Sequence, residues 1–228
     1  MSNFEILEGK LSFLRSFYQL TTEPLREIMR KIEASEEPFV PNADPERYDQ
    51  QPFLGEWFEA EEGLELQQQV CLTVLQRSFK EFLDGTVLQH RDYANNKPKV
   101  KNHNWFAAYK TWFLVEVAMD WDKAPVSLST MEELTLARNC VQHGGESANI
   151  GPKTGLVKMQ SDDYHARFPD GFFANEFEKL LRKGSAFPQP VRIELTSEKL
   201  AAAIEEVLAF CKYIDEHLPA SFLSEKQV

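Results

Sequence analysis

The sequence predicts a mainly α-helical fold. Apolar residues recur at three- and four-residue spacing in several long stretches, and segments rich in proline, glycine and asparagine separate them. Of the 228 residues, 43% are hydrophobic and 27% are charged, as is typical of a soluble globular protein with one good core. The pattern leaves room for one short β-hairpin.

The N-terminal part predicts two helices and a linker. Residues 5–20 carry one apolar stripe, and residues 21–24 (Thr-Thr-Glu-Pro) resemble the cap and first-turn proline of a second helix. Residues 36–52 are rich in proline, acids and asparagine, which indicates a loop. We therefore predict a helical extension with a Pro-rich linker over residues 1–52 and a main helical domain over residues 53–228.

Two further helices follow in the main domain. One runs from about residue 54 to 90, and Gly85 is its candidate break. The next, from about 104 to 120, is dense in aromatic residues, whose helical spacing favours core packing over base stacking. The candidate core positions of the first are Leu64, Leu66, Val70, Val74, Leu75, Phe79 and Phe82.

A third helix carries the most informative residues of the chain. Ser129 and Glu132 have the spacing of a capping box at its start, and Gly144 is suited to the position that follows its end. Beyond it, residues 155–159 and 191–195 predict two short strands of a hairpin.

The final segments complete the helical pattern. Residues 174–182 predict a short helix, and Thr196 has the position of a cap for a closing amphipathic helix.

Near the end of the third helix, four polar residues form one strip: Arg138, Asn139, Gln142 and His143. Residues four apart lie on nearly the same helix face, so Asn139 aligns with His143 and Arg138 with Gln142. Arginine binds phosphate through a permanently charged planar fork, and histidine transfers protons near neutral pH. The strip is costly to bury unless it is satisfied, which indicates a cleft or an interface and phosphate-directed chemistry.

RNA cleavage without a metal would give each of these residues a role. His143 would act as base or acid, Arg138 would hold the non-bridging oxygens, and Asn139 would orient the ribose or the imidazole. One histidine cannot perform both proton transfers at once. A second copy of the chain would supply the missing group, so a homodimer is expected.

A purely structural interpretation stays open at this stage. His143 in a last turn interacts favourably with the helix dipole, and Arg138 could pair with Glu133 or face solvent. With average residue usage, a chain of this length would contain this motif by chance roughly once in a hundred cases. The net charge of −11 also argues against a broad electrostatic nucleic-acid binder, so any RNA-directed activity needs a focused site.

Residues 134–144 (Leu-Thr-Leu-Ala-Arg-Asn-Cys-Val-Gln-His-Gly) resemble the signature of the HEPN family, an arginine followed by a polar residue and a histidine. The resemblance maps onto residues 54–218 and implies a HEPN-like helical bundle. Many active HEPN proteins are metal-independent endoribonucleases that serve as toxins or anti-phage effectors, with two motifs meeting across a dimer. Other members are inactive, which leaves a non-catalytic interaction or nucleotide-binding subunit as the alternative. Residues 146–190 form a longer insert than the minimal family pattern.

Other candidate sites carry weaker signals. Five lysines could contact the RNA backbone, although a solvated loop is the more ordinary interpretation of such runs: Lys97, Lys99, Lys101, Lys153 and Lys158. No histidine has companions at metal-ligand spacing, so we expect no metal and no cofactor.

The remaining features suggest a cytoplasmic protein. No apolar run is long enough to span a bilayer, no secretory signal is evident, and three widely separated cysteines suggest reduced core thiols. The expected partners are RNA, a second copy of the chain and an antitoxin or other regulatory protein.

Overall fold

The computed structural model describes residues 2–41, 52–90, 96–100, 105–143, 168, 171–174, 193–219 and 222. Within these ranges the chain forms α-helices and one 3-10 turn and no strand, which confirms the mainly α-helical fold. No helix in this part of the chain is long and apolar enough to cross a membrane. The elements are α1 (Asn3–Glu33), α2 (Leu54–Leu88), α3 (Trp105–Val117), the 3-10 turn (Trp121–Lys123), α4 (Leu128–His143) and α5 (Ser197–His217).

The expectation of two N-terminal helices was wrong, because α1 runs unbroken through Pro24. It begins at a capping box in which the Ser2 hydroxyl accepts a hydrogen bond from the Glu5 N–H (3.1 Å) and the Glu5 carboxylate accepts one from the Ser2 N–H (2.7 Å). Thr22 does not cap a new helix, since its hydroxyl donates to the Tyr18 carbonyl one turn earlier (2.8 Å). The proline costs one backbone hydrogen bond, and the packing of α1 outweighs that loss.

Helices α1 and α2 form a close antiparallel pair, and two glycines of α2 permit the approach. A Cβ atom at Gly63 would lie 3.1 Å from the Leu25 side chain, and one at Gly85 would lie 3.0 Å from the Asn3 side chain. Gly85 was expected to break α2, but it lies inside the helix. It makes room for the first turn of α1.

One hydrophobic core joins all the helices, with α2 at its centre. Both α1 and α4 pack against α2 and α5. Residues on both sides of position 52 therefore share one core. The domain boundary at residue 52 stays a prediction. The most deeply buried members of the core include Leu11 and Tyr18 of α1, Leu75, Phe79 and Leu83 of α2, Phe113 of α3, Leu134 and Ala137 of α4, and Val207 and Phe210 of α5.

The aromatic residues of α3 and the following turn belong to this core, as predicted. Trp121 is fully buried and meets Phe210 edge to face at a centroid distance of 4.9 Å. Phe106 and Phe113 also contact the Trp121 ring, at 5.4 and 5.2 Å. These side chains are therefore not available to stack on bases.

Three of the predicted core positions of α2 are exposed instead. Leu66, Val70 and Val74 are 58%, 39% and 38% exposed, whereas Leu75 and Phe79 are buried. The helix carries apolar residues on two faces, and the periodicity alone does not show which face meets the other helices.

The start of α4 also differs from the prediction. The helix begins at Leu128, so Ser129 lies inside its first turn and cannot be the N-cap of a capping box with Glu132. The residue before the helix, Ser127, donates its N–H to the carboxylate of Glu206 on α5 (3.2 Å). This contact ties the start of α4 to another helix.

The segment before α5 forms a single antiparallel bridge between Ala174 and Ile193. The predicted hairpin partner, residues 155–159, and the predicted helix after Ala174 lie outside the described residues. Residues 193–195 thus do not form a strand, although the Glu194 N–H also donates to the Phe173 carbonyl (2.7 Å). The predicted cap of the closing helix is confirmed, since the Thr196 hydroxyl accepts from the Lys199 N–H (3.2 Å).

Two leucines of α2 test this assignment of inner and outer faces. Leu83 is fully buried and Leu88 is 61% exposed. We expect Leu83→Ala to lower the free energy of unfolding by about 2–5 kcal/mol because it opens a cavity in the core. Leu88→Ala, the matched control, should change it by less than about 0.5 kcal/mol. Chemical denaturation measures both, and equal losses would contradict the position given to α2.

Candidate functional site

Helix α4 directs Arg138 toward the core rather than toward open solvent. Leu134, one turn earlier on the same face, is fully buried, and Val141, one turn later, packs against the core. Arg138 itself is half-buried. Of the predicted polar strip, Arg138 is therefore directed inward, and its cation lies at the edge of the hydrophobic interior.

The Arg138 guanidinium is only partly satisfied. Its Nη1 group donates to the Asn139 Oδ1 atom at 3.0 Å, but its Nε atom is buried and has no hydrogen-bond partner among the described residues. Burial lowers the pKa of the Arg138 guanidinium, and no carboxylate among the described residues contributes to that shift. A half-buried cation that has no counter-ion among the described residues is suited to an anion.

The interpretation that Arg138 pairs with Glu133 was wrong. Glu133 is only 4% exposed, and its Oε1 atom accepts a hydrogen bond from the Phe173 N–H at 3.0 Å. Five residues correspond to about 140° around a helix, so the two side chains leave α4 in different directions. Glu133 instead ties the segment 171–174 to α4.

Asn139 follows Arg138 on α4 and is half-buried as well. Its side-chain oxygen already accepts from Arg138, so the pair forms one unit at the penultimate turn of the helix. His143 and Gln142 are the last residues of α4, and their side chains lie outside the described part of the structure. The helical backbone still places Asn139 and His143 on one face and Arg138 and Gln142 on the adjacent one.

The weaker lysine candidates are not brought to α4 by any described contact. Lys97 and Lys99 are exposed on a turn that is held against α3. Trp112 donates its indole N–H to the Asn96 carbonyl (2.8 Å), and the Asn96 amide donates to Glu116 (2.9 Å). The other three candidates lie outside the described residues: Lys101, Lys153 and Lys158.

The cysteine beside the motif is not a nucleophile at neutral pH. Burial raises the pKa of the Cys140 thiol to about 11, and it also raises the pKa of Cys71 to about 11. Cys211 is fully buried and its pKa is raised as well. All three are free thiols, and the described residues contain no group of three or more His, Cys, Asp or Glu that could hold a metal ion.

A separate pocket of about 440 Å³ lies between the start of α4 and α5 and was not anticipated from the sequence. Thr130 lines it on α4, eight residues before Arg138 and therefore about 12 Å along the helix. Small side chains on α5, Ala202 and Ala209 among them, open the space. Their seven-residue spacing is the signal in the sequence that could have indicated a pocket.

Comparison of the chain with protein-family models, with curated proteins and with solved structures gave no significant match.

Arg138 is predicted to contribute nothing to the stability of the fold. Replacing Arg138 with Met removes one hydrogen bond but also removes a half-buried charge that no carboxylate of the described residues neutralises, so the free energy of unfolding should stay within about 0.5 kcal/mol of the parent. The matched control is Arg26→Met, which loses hydrogen bonds to the Ser197 hydroxyl (3.3 Å) and the Tyr18 hydroxyl (3.1 Å). It should lose about 1 kcal/mol or more. Equal destabilisation of the two variants in chemical denaturation would show that Arg138 is structural.

Proposed function

We propose that this protein is a metal-independent endoribonuclease of the HEPN type, acting as a toxin or anti-phage effector in the cytoplasm. The observation that carries the proposal is the state of Arg138, a half-buried guanidinium that has no carboxylate partner among the described residues and whose Nε donor is unsatisfied. Phosphate satisfies such a group, because its oxygens accept two parallel N–H bonds from the planar fork.

The reaction needs no bound ion as a reactant. The 2′-oxygen of the RNA attacks the adjacent phosphorus and forms a P–O bond while its proton passes to a base. The P–O5′ bond breaks, and the leaving 5′-oxygen takes a proton from an acid. The products are a 2′,3′-cyclic phosphate and a 5′-hydroxyl end, and Arg138 would stabilise the negative charge that builds on the non-bridging oxygens.

His143 would carry the proton transfers, and Asn139 would keep the arginine in place. The Arg138–Asn139 hydrogen bond fixes one arm of the guanidinium and so would hold its charge in place beside the substrate. One histidine cannot act as acid and base in the same step, so a second His143 from another copy of the chain is required. Control by an antitoxin or another regulatory protein would restrain the activity in the cell.

The alternative function is a non-catalytic interaction or nucleotide-binding subunit. The net charge of −11 favours it over an enzyme that must attract RNA. An arginine that holds a nucleotide phosphate would explain the geometry at Arg138 equally well. The two functions differ in whether a bond is broken.

Cleavage of total RNA and tRNA in the presence of EDTA tests the proposal. The parent chain should cut RNA and leave cyclic phosphate ends, and His143→Ala should lose the activity by about a hundredfold or more because the proton-transfer group is gone. Arg138→Met should lose a comparable factor through the missing charge stabilisation. The matched control is His217→Ala, which replaces an exposed histidine of α5 that contacts the Tyr213 carbonyl.

Two outcomes would contradict the proposal. Cleavage that persists in His143→Ala would come from another group or from a contaminant. A parent chain that is folded and binds nucleotide but cuts no RNA would favour the alternative function.

A further inference from the structure

The pocket between the start of α4 and α5 is lined mainly by apolar side chains. Six of the residues that line it are apolar: Pro125, Val126, Phe172, Ala202, Ala203 and Ala209. Ala203 is buried, whereas Ala202 and Ala209 are exposed, so the pocket opens to solvent along α5. Its volume of about 440 Å³ lies within the usual range of small-molecule sites.

Phe172 is a wall of the pocket that the fold itself positions. Its ring is half-buried and packs edge to face on Phe173 at a centroid distance of 5.0 Å. Phe173 is fully buried, and its N–H donates to the carboxylate of Glu133 on α4 at 3.0 Å. A ligand would therefore find the aromatic wall already ordered, which lowers the entropic cost of binding.

The pocket carries an excess of negative charge. Its polar lining is Thr130, Glu205 and Glu206, and the described residues that line it include no lysine, arginine or histidine. Arg15 of α1 bonds to Glu205 at 2.5 Å and neutralises that carboxylate. Glu206 has a neutral partner instead, because its Oε2 atom accepts from the Ser127 N–H at 3.2 Å. Among the described residues, one carboxylate of the pocket is therefore left without a cation.

Apolar walls and one unneutralised carboxylate together select an organic cation. The walls stabilise a hydrocarbon body by removing it from water. A carboxylate binds an ammonium group through charge-assisted hydrogen bonds, and an aromatic ring such as that of Phe172 attracts a cation to its face. An anion would instead meet two carboxylates, and a bare metal ion would gain nothing from the apolar walls.

We propose that this pocket binds a small organic cation, an ammonium group carried on an aliphatic or aromatic body, with Glu206 as its counter-ion. A carboxylate can accept several hydrogen bonds, so Glu206 keeps the Ser127 N–H and accepts the ammonium as well. The Thr130 hydroxyl in the same lining supplies a second acceptor. Phe172 and the alanines of α5 enclose the body of the ligand.

This cation site goes beyond the proposed nuclease and is independent of it. Thr130 precedes Arg138 by about 12 Å along α4, and the two sites suit ligands of opposite charge. The test below contains no RNA, and Arg138→Met should bind the cation as the parent chain does. The failure of one proposal is therefore distinguishable from the failure of the other.

NMR titration of the full chain with three probes of one shape tests the proposal. The probes are phenethylammonium, the neutral phenethyl alcohol and the anion hydrocinnamate. We expect phenethylammonium to bind with a Kd of about 1 mM or below, as is ordinary for so small a ligand. The alcohol should bind about tenfold more weakly because it lacks the charge, and hydrocinnamate should bind more weakly still.

Filling the pocket tests where the probe binds. Ala209→Phe should weaken phenethylammonium at least about tenfold because the new ring occupies the space of the ligand. Ala202→Phe repeats the test from another position. Both alanines are exposed, so circular dichroism should show an unchanged helix content. The matched control is Ala107→Phe, which makes the same change at an exposed alanine of α3 and should bind as the parent does.

Removing the charge tests Glu206 as the counter-ion. Glu206→Gln keeps an acceptor for the Ser127 N–H, so it should weaken phenethylammonium about tenfold and leave the alcohol unchanged. Glu216→Gln, the matched control, removes the same charge from an exposed position of α5 and should have no effect.

Four results would overturn the proposal. The first is a folded parent chain that binds no phenethylammonium at about 10 mM, and the second is binding that survives both phenylalanine variants. The third is hydrocinnamate bound as tightly as phenethylammonium, because the pocket would then not select cations. The fourth is an equal loss of the alcohol and the ammonium in Glu206→Gln, which would make Glu206 a structural residue only.

Discussion

Burial of the inner face of α2 is the interaction on which the rest of the molecule depends. Leu75, Phe79 and Leu83 on this face are fully buried, and α1, α4 and α5 all pack against the same helix. The burial is strong enough to continue α1 through Pro24, where a hydrogen bond is lost. It also sets the orientation of α4, because Leu134 must point inward, and Arg138 follows it one turn later.

The resulting position of Arg138 is unusual for an arginine of this protein. Arg15, Arg30 and Arg77 each hold a carboxylate in a surface ion pair, which costs little and contributes little. Arg138 has lost part of its hydration, and among the described residues it has gained the Asn139 oxygen alone in return. Perturbed ionisable groups concentrate at functional sites, which makes Arg138 a candidate for such a site.

The sequence was sufficient for the helices and for the position of the motif, because periodicity and the Thr196 cap are local signals. It was misleading where a distant contact overrides a local one. Pro24 resembles a helix start until the packing on α2 is known, and the capping-box spacing of Ser129 has no effect where Glu206 ties the start of α4 to another helix. One partner of Glu133 is the backbone N–H of Phe173, forty residues away, and no local pattern indicates it. The inward direction of Arg138, in contrast, could have been derived from its four-residue spacing to Leu134.

Nitrogen-15 NMR of the arginine side chains tests the central claim, that Arg138 is an anion site, most directly. The Arg138 Nε–H signal would be assigned by its loss in Arg138→Met and followed while inorganic phosphate is added. We expect this signal to shift saturably while that of Arg26, which already has partners, changes little. If the Arg138 signal stays unchanged in the folded protein, or if both arginines shift weakly and in proportion to ionic strength, the guanidinium binds no phosphate and the account of the site is wrong.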